Sequence, residues 1–162
     1  MSRSNELLRV WTEHANIGYV PCAFTDGDLV LKPKHINERP EGEDGYDWFG
    51  VHWTYQPEND SMMLTPGVPH LISDITRWEE QVTFPDLSQY DWETYGKEET
   101  KNWDRENKYS EIMIKNGCFE RSHHLMGFEA ALMAMYEEPE AYKGLISRIA
   151  DYKCELIRII GI

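Results

Sequence analysis

Glu111-Ile112-Met113-Ile114-Lys115-Asn116-Gly117-Cys118-Phe119-Glu120-Arg121-Ser122-His123-His124-Leu125-Met126-Gly127-Phe128-Glu129 reads as a strand that ends in a glycine and turns into a helix. In α/β folds the chemistry gathers on such strand-to-helix turns, at the carboxyl ends of the strands. Working outward, the spacing predicts a strand over residues 110–115 and a well-buried helix over 123–137. Pro139, flanked by Glu138 and Glu140, suits the start of a second long helix. Its apolar face runs through Tyr142, Leu145, Ile146, Ile149, Leu156, Ile157 and Ile160. Upstream, residues 6–14 read as a short helix, 19–24 as a strand, 47–55 as a strand and 91–107 as an exposed helix. Residues 32–46 read as loop. Between residues 56 and 70, Pro57, Pro66, Gly67 and Pro69 leave no room for a regular element. Asp74 caps a helix that opens at Ile75.

The chain has 162 residues, 41% apolar and 28% charged, the composition of an ordinary globular protein. The net charge of −13 comes without a basic stripe, which argues against nucleic acid and against an anionic membrane surface as partners. No apolar run is long enough for a transmembrane helix. Cys22, Cys118 and Cys154 are an odd, widely spaced set, so the expected compartment is a reducing cytoplasm. Six Trp and nine Tyr serve either to line a pocket or to anchor long loops. No Gly-rich phosphate loop, G-x-S-x-G elbow, C-x-x-C pair or H-E-x-x-H helix occurs.

Several segments together carry a resemblance. They are Asp47-Trp48-Phe49-Gly50-Val51-His52-Trp53, Pro66-Gly67-Val68-Pro69, Asp74-Ile75-Thr76-Arg77-Trp78 and Phe84-Pro85-Asp86-Leu87. Gly117-Cys118-Phe119-Glu120-Arg121, the run from Met126 to Leu132, and Glu137-Glu138-Pro139-Glu140 complete the set. In this order the chain resembles the uroporphyrinogen decarboxylase superfamily, and within it the corrinoid-dependent methyltransferase branch. The resemblance implies an α/β fold, the N-terminal part of a TIM-type (β/α)8 barrel in a family about twice this length. Residues 1–18 would be a helical extension, and 19–162 the first three βα units, with a long insertion at 56–109. The barrel strands would lie near residues 20–24, 50–53 and 110–115, and the chain would stop at the threshold of the fourth.

The implied activity is methyl transfer between a small molecule and a corrinoid, with a corrinoid protein as a possible partner. Zinc and the corrinoid belong to the full-length family. Its zinc ligands, a His and two Cys, come from later strands and are expected to be absent here. A decarboxylase acting on a carboxylated ring such as a porphyrinogen is the alternative. Against it, the turn after the first strand is Thr25-Asp26-Gly27-Asp28 rather than arginine-rich, and His52-Trp53 replaces the aspartate expected after the second strand. A third reading is an inactive half-barrel that oligomerises over its strand edges or awaits a C-terminal half.

The residues expected to shape a substrate pocket are His52, Trp53, Tyr55, Glu120, Arg121 and Asp26. Each has a structural reading beside it. Glu120 and Arg121 would face the barrel mouth, or form a local ion pair capping the helix. His52 would act on a substrate or sit as a satisfied core histidine. Asp26 would reach the mouth or bond its own turn. Cys118 with His123 and His124 has the chemistry of a zinc set. Adjacent helical positions point about 100° apart, so Cys118 is read as packing and no metal site is assigned. Cys22 and Cys154 are read as structural.

Overall fold

The computed structural model describes residues 2–161. Helices and strands are mixed, and the strands among the described residues do not close into a barrel. The chain divides into two compact units. The first takes the residues up to His35 together with Glu93–Ile114, and the second takes Ile36–Trp92 with the residues from Lys115 onward.

In the first unit, α1 (Arg3–Thr12) is capped by Ser2, whose hydroxyl accepts the Asn5 N–H, and it buries Leu7. A one-turn helix, α2 (Ala23–Asp26), leads into β1 (Gly27–Val30). β1 pairs in parallel with β5 (Tyr109–Ile112), from Gly27 opposite Tyr109 to Val30 opposite Ile112. The strand expected at residues 19–24 is therefore corrected to 27–30. The cause is local: the Cys22 carbonyl accepts the N–H groups of Thr25 and Asp26, and the Asp26 carboxylate accepts the Cys22 N–H. These bonds close a turn where an apolar run alone predicts extension. α4 (Trp92–Thr100) ends well before residue 107.

The second unit holds an antiparallel sheet of β2 (Gly45–Tyr46), β3 (His52–Gln56) and β4 (Ser61–Leu64), in the order β2-β3-β4. β3 thus belongs to a hairpin sheet and not to the parallel one, which corrects its assignment as the second barrel strand. β4 is also a strand where none was expected. Asn59-Asp60 makes the turn, with Asp60 at φ +47°, and Trp53 to Gln56 then pair with Leu64 to Ser61. A cross-strand ladder supplies what local propensity lacks.

Asp74 caps a short 3-10 turn over Ile75–Arg77 by accepting the Thr76 N–H, and α3 (Trp78–Gln81) follows. The expected single helix over 123–137 is two: α5 (Cys118–Met126) and α6 (Phe128–Glu137), broken at Gly127. Gly127 has φ +90°, and a Cβ there would lie 2.8 Å from the His70 ring. α7 (Pro139–Ile160) runs as expected and packs on α5 and α6. Leu145, Ile149 and Leu156 have no exposed surface. Each contributes about 1.5–3 kcal/mol by burial, so α7 is the spine of this unit's core.

Candidate functional site

The site is built on the turn Asp47-Trp48-Phe49-Gly50-Val51. Asp47 Oδ1 accepts the N–H groups of Phe49 (2.9 Å) and Val51 (3.0 Å), and Gly50 supplies the positive φ that the turn needs. Asp47 Oδ2 accepts the Trp53 indole N–H (3.1 Å) and an Arg121 guanidinium N–H (2.6 Å). Arg121 comes from the first turns of α5, and its guanidinium lies 4.2 Å from the Phe49 ring centroid. Its other terminal nitrogen donates to the Glu38 backbone carbonyl (2.6 Å) and to Glu38 Oε2 (3.2 Å).

Glu38 is the second hub. Its carboxylate accepts the Tyr152 hydroxyl (2.5 Å) and the Lys153 ammonium (2.5 Å), both from α7. Lys153 also donates to the Lys115 carbonyl, and Asn116 to the Glu38 carbonyl. Glu38, Asp47, Arg121 and Lys153 are all buried, two carboxylates against two cations. Charge balance lets them stay ionised in a low-dielectric interior. Burial pushes the Lys153 ammonium below its usual range, and Glu38 opposes the shift. Burial and the Glu38 charge push the Tyr152 phenol up, so it remains a donor. The network clamps the loop around Glu38, the Asp47 turn, the entry to α5 and α7 to one another. Its carboxylates already hold donors and no member is open to solvent, so it positions neighbouring groups instead of reacting.

Beside it lies a half-buried patch around the Trp53 ring. The His124 ring meets Trp53 edge-on at 4.8 Å between centroids, Arg39 lies 5.9 Å from it, and His123 sits 4.4 Å from His124. Burial, then the positive charge of neighbours, lowers the His124 pKa to about 3, and burial lowers that of His123. Both imidazoles are neutral at physiological pH. Burial lowers the Arg39 pKa too, against the pull of Glu120. His124 Nδ1 and Arg39 Nε are buried polar atoms without a hydrogen-bond partner among the described residues. Arg39 is also ion-paired with Glu41 at 3.6 Å, and the Trp53 N–H is held by Asp47, so what the patch offers an oxygen-rich small molecule is the remaining guanidinium N–H groups, two neutral imidazoles and the indole's apolar edge.

The sequence-based candidates separate. Trp53 and Arg121 meet through Asp47. Arg121 is wholly buried, which corrects its expected place at an open mouth. Glu120 is exposed and caps its own helix, accepting the Gly117 N–H at 2.8 Å. His52 bonds Thr65 Oγ1 at 2.6 Å, and the Tyr55 hydroxyl donates to Asp60 at 3.0 Å. Asp26 lies in the first unit, where it accepts from Arg3, Tyr19 and Cys22. The Cys22 N–H is the main reason its carboxyl stays below the usual range.

Among the described residues no three His, Cys, Asp or Glu side chains group to hold a metal. Cys22 and Cys154 are exposed, and Cys118 is half-buried. Among the described residues, those present do not form the zinc set of the resembled branch. No helix among the described residues is long and apolar enough to cross a membrane.

Glu38 and Lys153 escaped the sequence reading. Glu38 sits in a loop of charges and prolines that looks solvated. Lys153 did carry a signal, since it lies four residues after Ile149 on the apolar face of the last helix. The chain matches no family model, no curated protein and no solved structure.

Proposed function

We propose that this chain forms the scaffold portion of a uroporphyrinogen-decarboxylase-like α/β-barrel enzyme that transfers a methyl group between a small molecule and a corrinoid. One observation carries the reading. Two of the segments on which the resemblance rests, 47–53 and 117–121, converge on the Asp47–Arg121 pair across 74 positions of sequence. Segments that meet in one buried clamp are parts of a single device. The parallel pairing of β1 with β5 across a long crossover agrees with a βα architecture.

In this reading the clamp holds Trp53 and α5 rigid, so that Arg39, His123 and His124 keep their positions. Arg39 orients an anionic or oxygenated substrate. A neutral His124 offers a hydrogen bond that needs no proton to be gained or lost first. The corrinoid is a co-substrate presented by a partner protein, and further polypeptide supplies the rest of the barrel, so the chain alone is inactive. Decarboxylation of a porphyrinogen fits less well, because Thr25-Asp26-Gly27-Asp28 offers carboxylates where the decarboxylases carry an arginine-rich turn for a polyanionic ring.

The test is a methyl-transfer assay with methylcobalamin as donor and a simple thiol as acceptor, followed by the corrinoid's visible spectrum. The chain alone is expected to give no turnover. Turnover is expected once further barrel strands are supplied, and Arg39→Gln is expected to raise KM for an anionic acceptor more than it changes kcat. Turnover by the chain alone would refute the scaffold reading. Carbon dioxide release from a porphyrinogen without methyl transfer would refute the reaction.

A further inference from the structure

α6 carries an unusual outer surface. Phe128, Leu132, Met135 and Tyr136 recur at helical spacing, and with Met133 they are 42–88% exposed. Single exposed apolar residues are ordinary, but a contiguous set on one short helix marks an interaction surface. Phe128 and Met133 of this set, but not Leu132, Met135 or Tyr136, also line an open groove of about 820 Å³ between α6 and the segment from His70 to Ile75. Met126, Met133 and Ile75 give the groove an adaptable apolar floor. Asp74, Glu129, Glu137 and Glu138 also line it, four carboxylates with no Lys or Arg. No salt bridge among the described residues uses Glu129, Glu137 or Glu138. Hydrogen bonds from Thr76 hold the Asp74 carboxyl below its usual range.

The geometry points to a docking groove for a cationic amphipathic helix from another protein, its apolar face on Met133 and Phe128 and its Lys or Arg border on Glu129 and Glu137. Charge complementarity selects this occupant. A second copy would bring the same glutamates from a chain of net charge −13, and an anionic membrane would be repelled in the same way. An apolar trough with acidic rims is the counterpart of a helix with apolar and basic faces. The groove shares no residue with the Asp47–Arg121 clamp or the patch around Trp53, so it stands independently of the proposed reaction.

The test is fluorescence anisotropy of the full chain with a labelled helical peptide of Leu and Lys, the Leu at helical spacing. A scrambled peptide and a peptide with Glu in place of Lys serve as controls. Only the Leu/Lys helix is expected to bind. Glu129→Lys with Glu137→Lys is expected to weaken it by about tenfold or more, the equivalent of 1.4 kcal/mol. Met133→Ser is expected to weaken it as well. Should Met133→Ser fail to fold, the lysine variants at their exposed positions still decide. Equal binding of the scrambled peptide, or no effect of the lysine variants, would overturn the proposal. So would a wild-type dimer in sedimentation that Met133→Ser dissociates and that leaves the peptide unbound.

Discussion

Arg121 makes contacts that no other side chain can reproduce. Its guanidinium donates to Asp47 and to two oxygens of Glu38 while one face lies against Phe49. A lysine has one compact ammonium and neither the planar fork nor the stacking face, so it cannot serve these partners together. The energetic weight lies in what removal leaves behind. Two buried carboxylates would face one remaining cation, Lys153, and losing one member of a buried ion network costs about 3–5 kcal/mol. Arg121→Met is therefore expected to lower stability by that amount, read as a shift of the urea midpoint at unchanged slope. Adding Asp47→Asn should recover part of the loss, because it removes one stranded charge while keeping the oxygen that accepts the Phe49 and Val51 N–H groups. A loss under 1 kcal/mol for Arg121→Met would show that the network does not clamp these segments.

The boundary between α5 and α6 rests on one glycine. At φ +90° and ψ 149° Gly127 occupies backbone space essentially closed to other residues, at a cost of about 1–3 kcal/mol for any side chain. The His70 ring closes off the remaining room. Gly127→Ala should destabilise the protein by about that amount, and His70→Ala in the same chain should restore only a part, since the steric clash is relieved and the dihedral strain is not. Full restoration would mean that the dihedral strain is negligible.

This break also shows what was legible in the sequence. The periodicity of 123–137 shows apolar spacing but not the sign of φ at Gly127, so one helix was expected where there are two. α7 was legible because its apolar face repeats over many turns and Pro139 marks its start. The turn at Asp26, β4 and the Glu38 hub were not. A carboxylate bonding Cys22, a ladder completed by β3, and a Lys153–Glu38 pair 115 residues apart are decided by partners that local pattern does not name. For the site, the motifs around Trp53 and Arg121 mark segments that meet, but not that Arg121 is buried in a clamp instead of facing an open mouth. Asp47 stands in the same motif as Trp53, but its link to Arg121 spans 74 positions and no local pattern shows it.

At the scale of the whole molecule, the buried apolar residues are unevenly shared between the two units. In the first, Leu7, Pro21 and Tyr109 are the buried apolar side chains among the described residues, whereas the second buries Phe49, Trp53, Leu125, Leu145, Ile149 and Leu156 among others. The first unit also contains a parallel sheet of only two strands. Parallel sheets are almost always covered on both faces, and a two-stranded sheet is marginal in water. Its ladder should therefore open at a lower free energy than the helices of the second unit. Hydrogen exchange in rising urea is expected to release the amides of Gly27–Val30 and Tyr109–Ile112 first and those of Leu145, Ile149 and Leu156 last. If further parallel strands complete this sheet, as the proposed barrel requires, supplying them should slow exchange at β1 and β5 and leave α7 unchanged. Release of both sets at one urea concentration would mean that the chain unfolds as one cooperative body, and the two-stranded ladder would then need no added strands to persist.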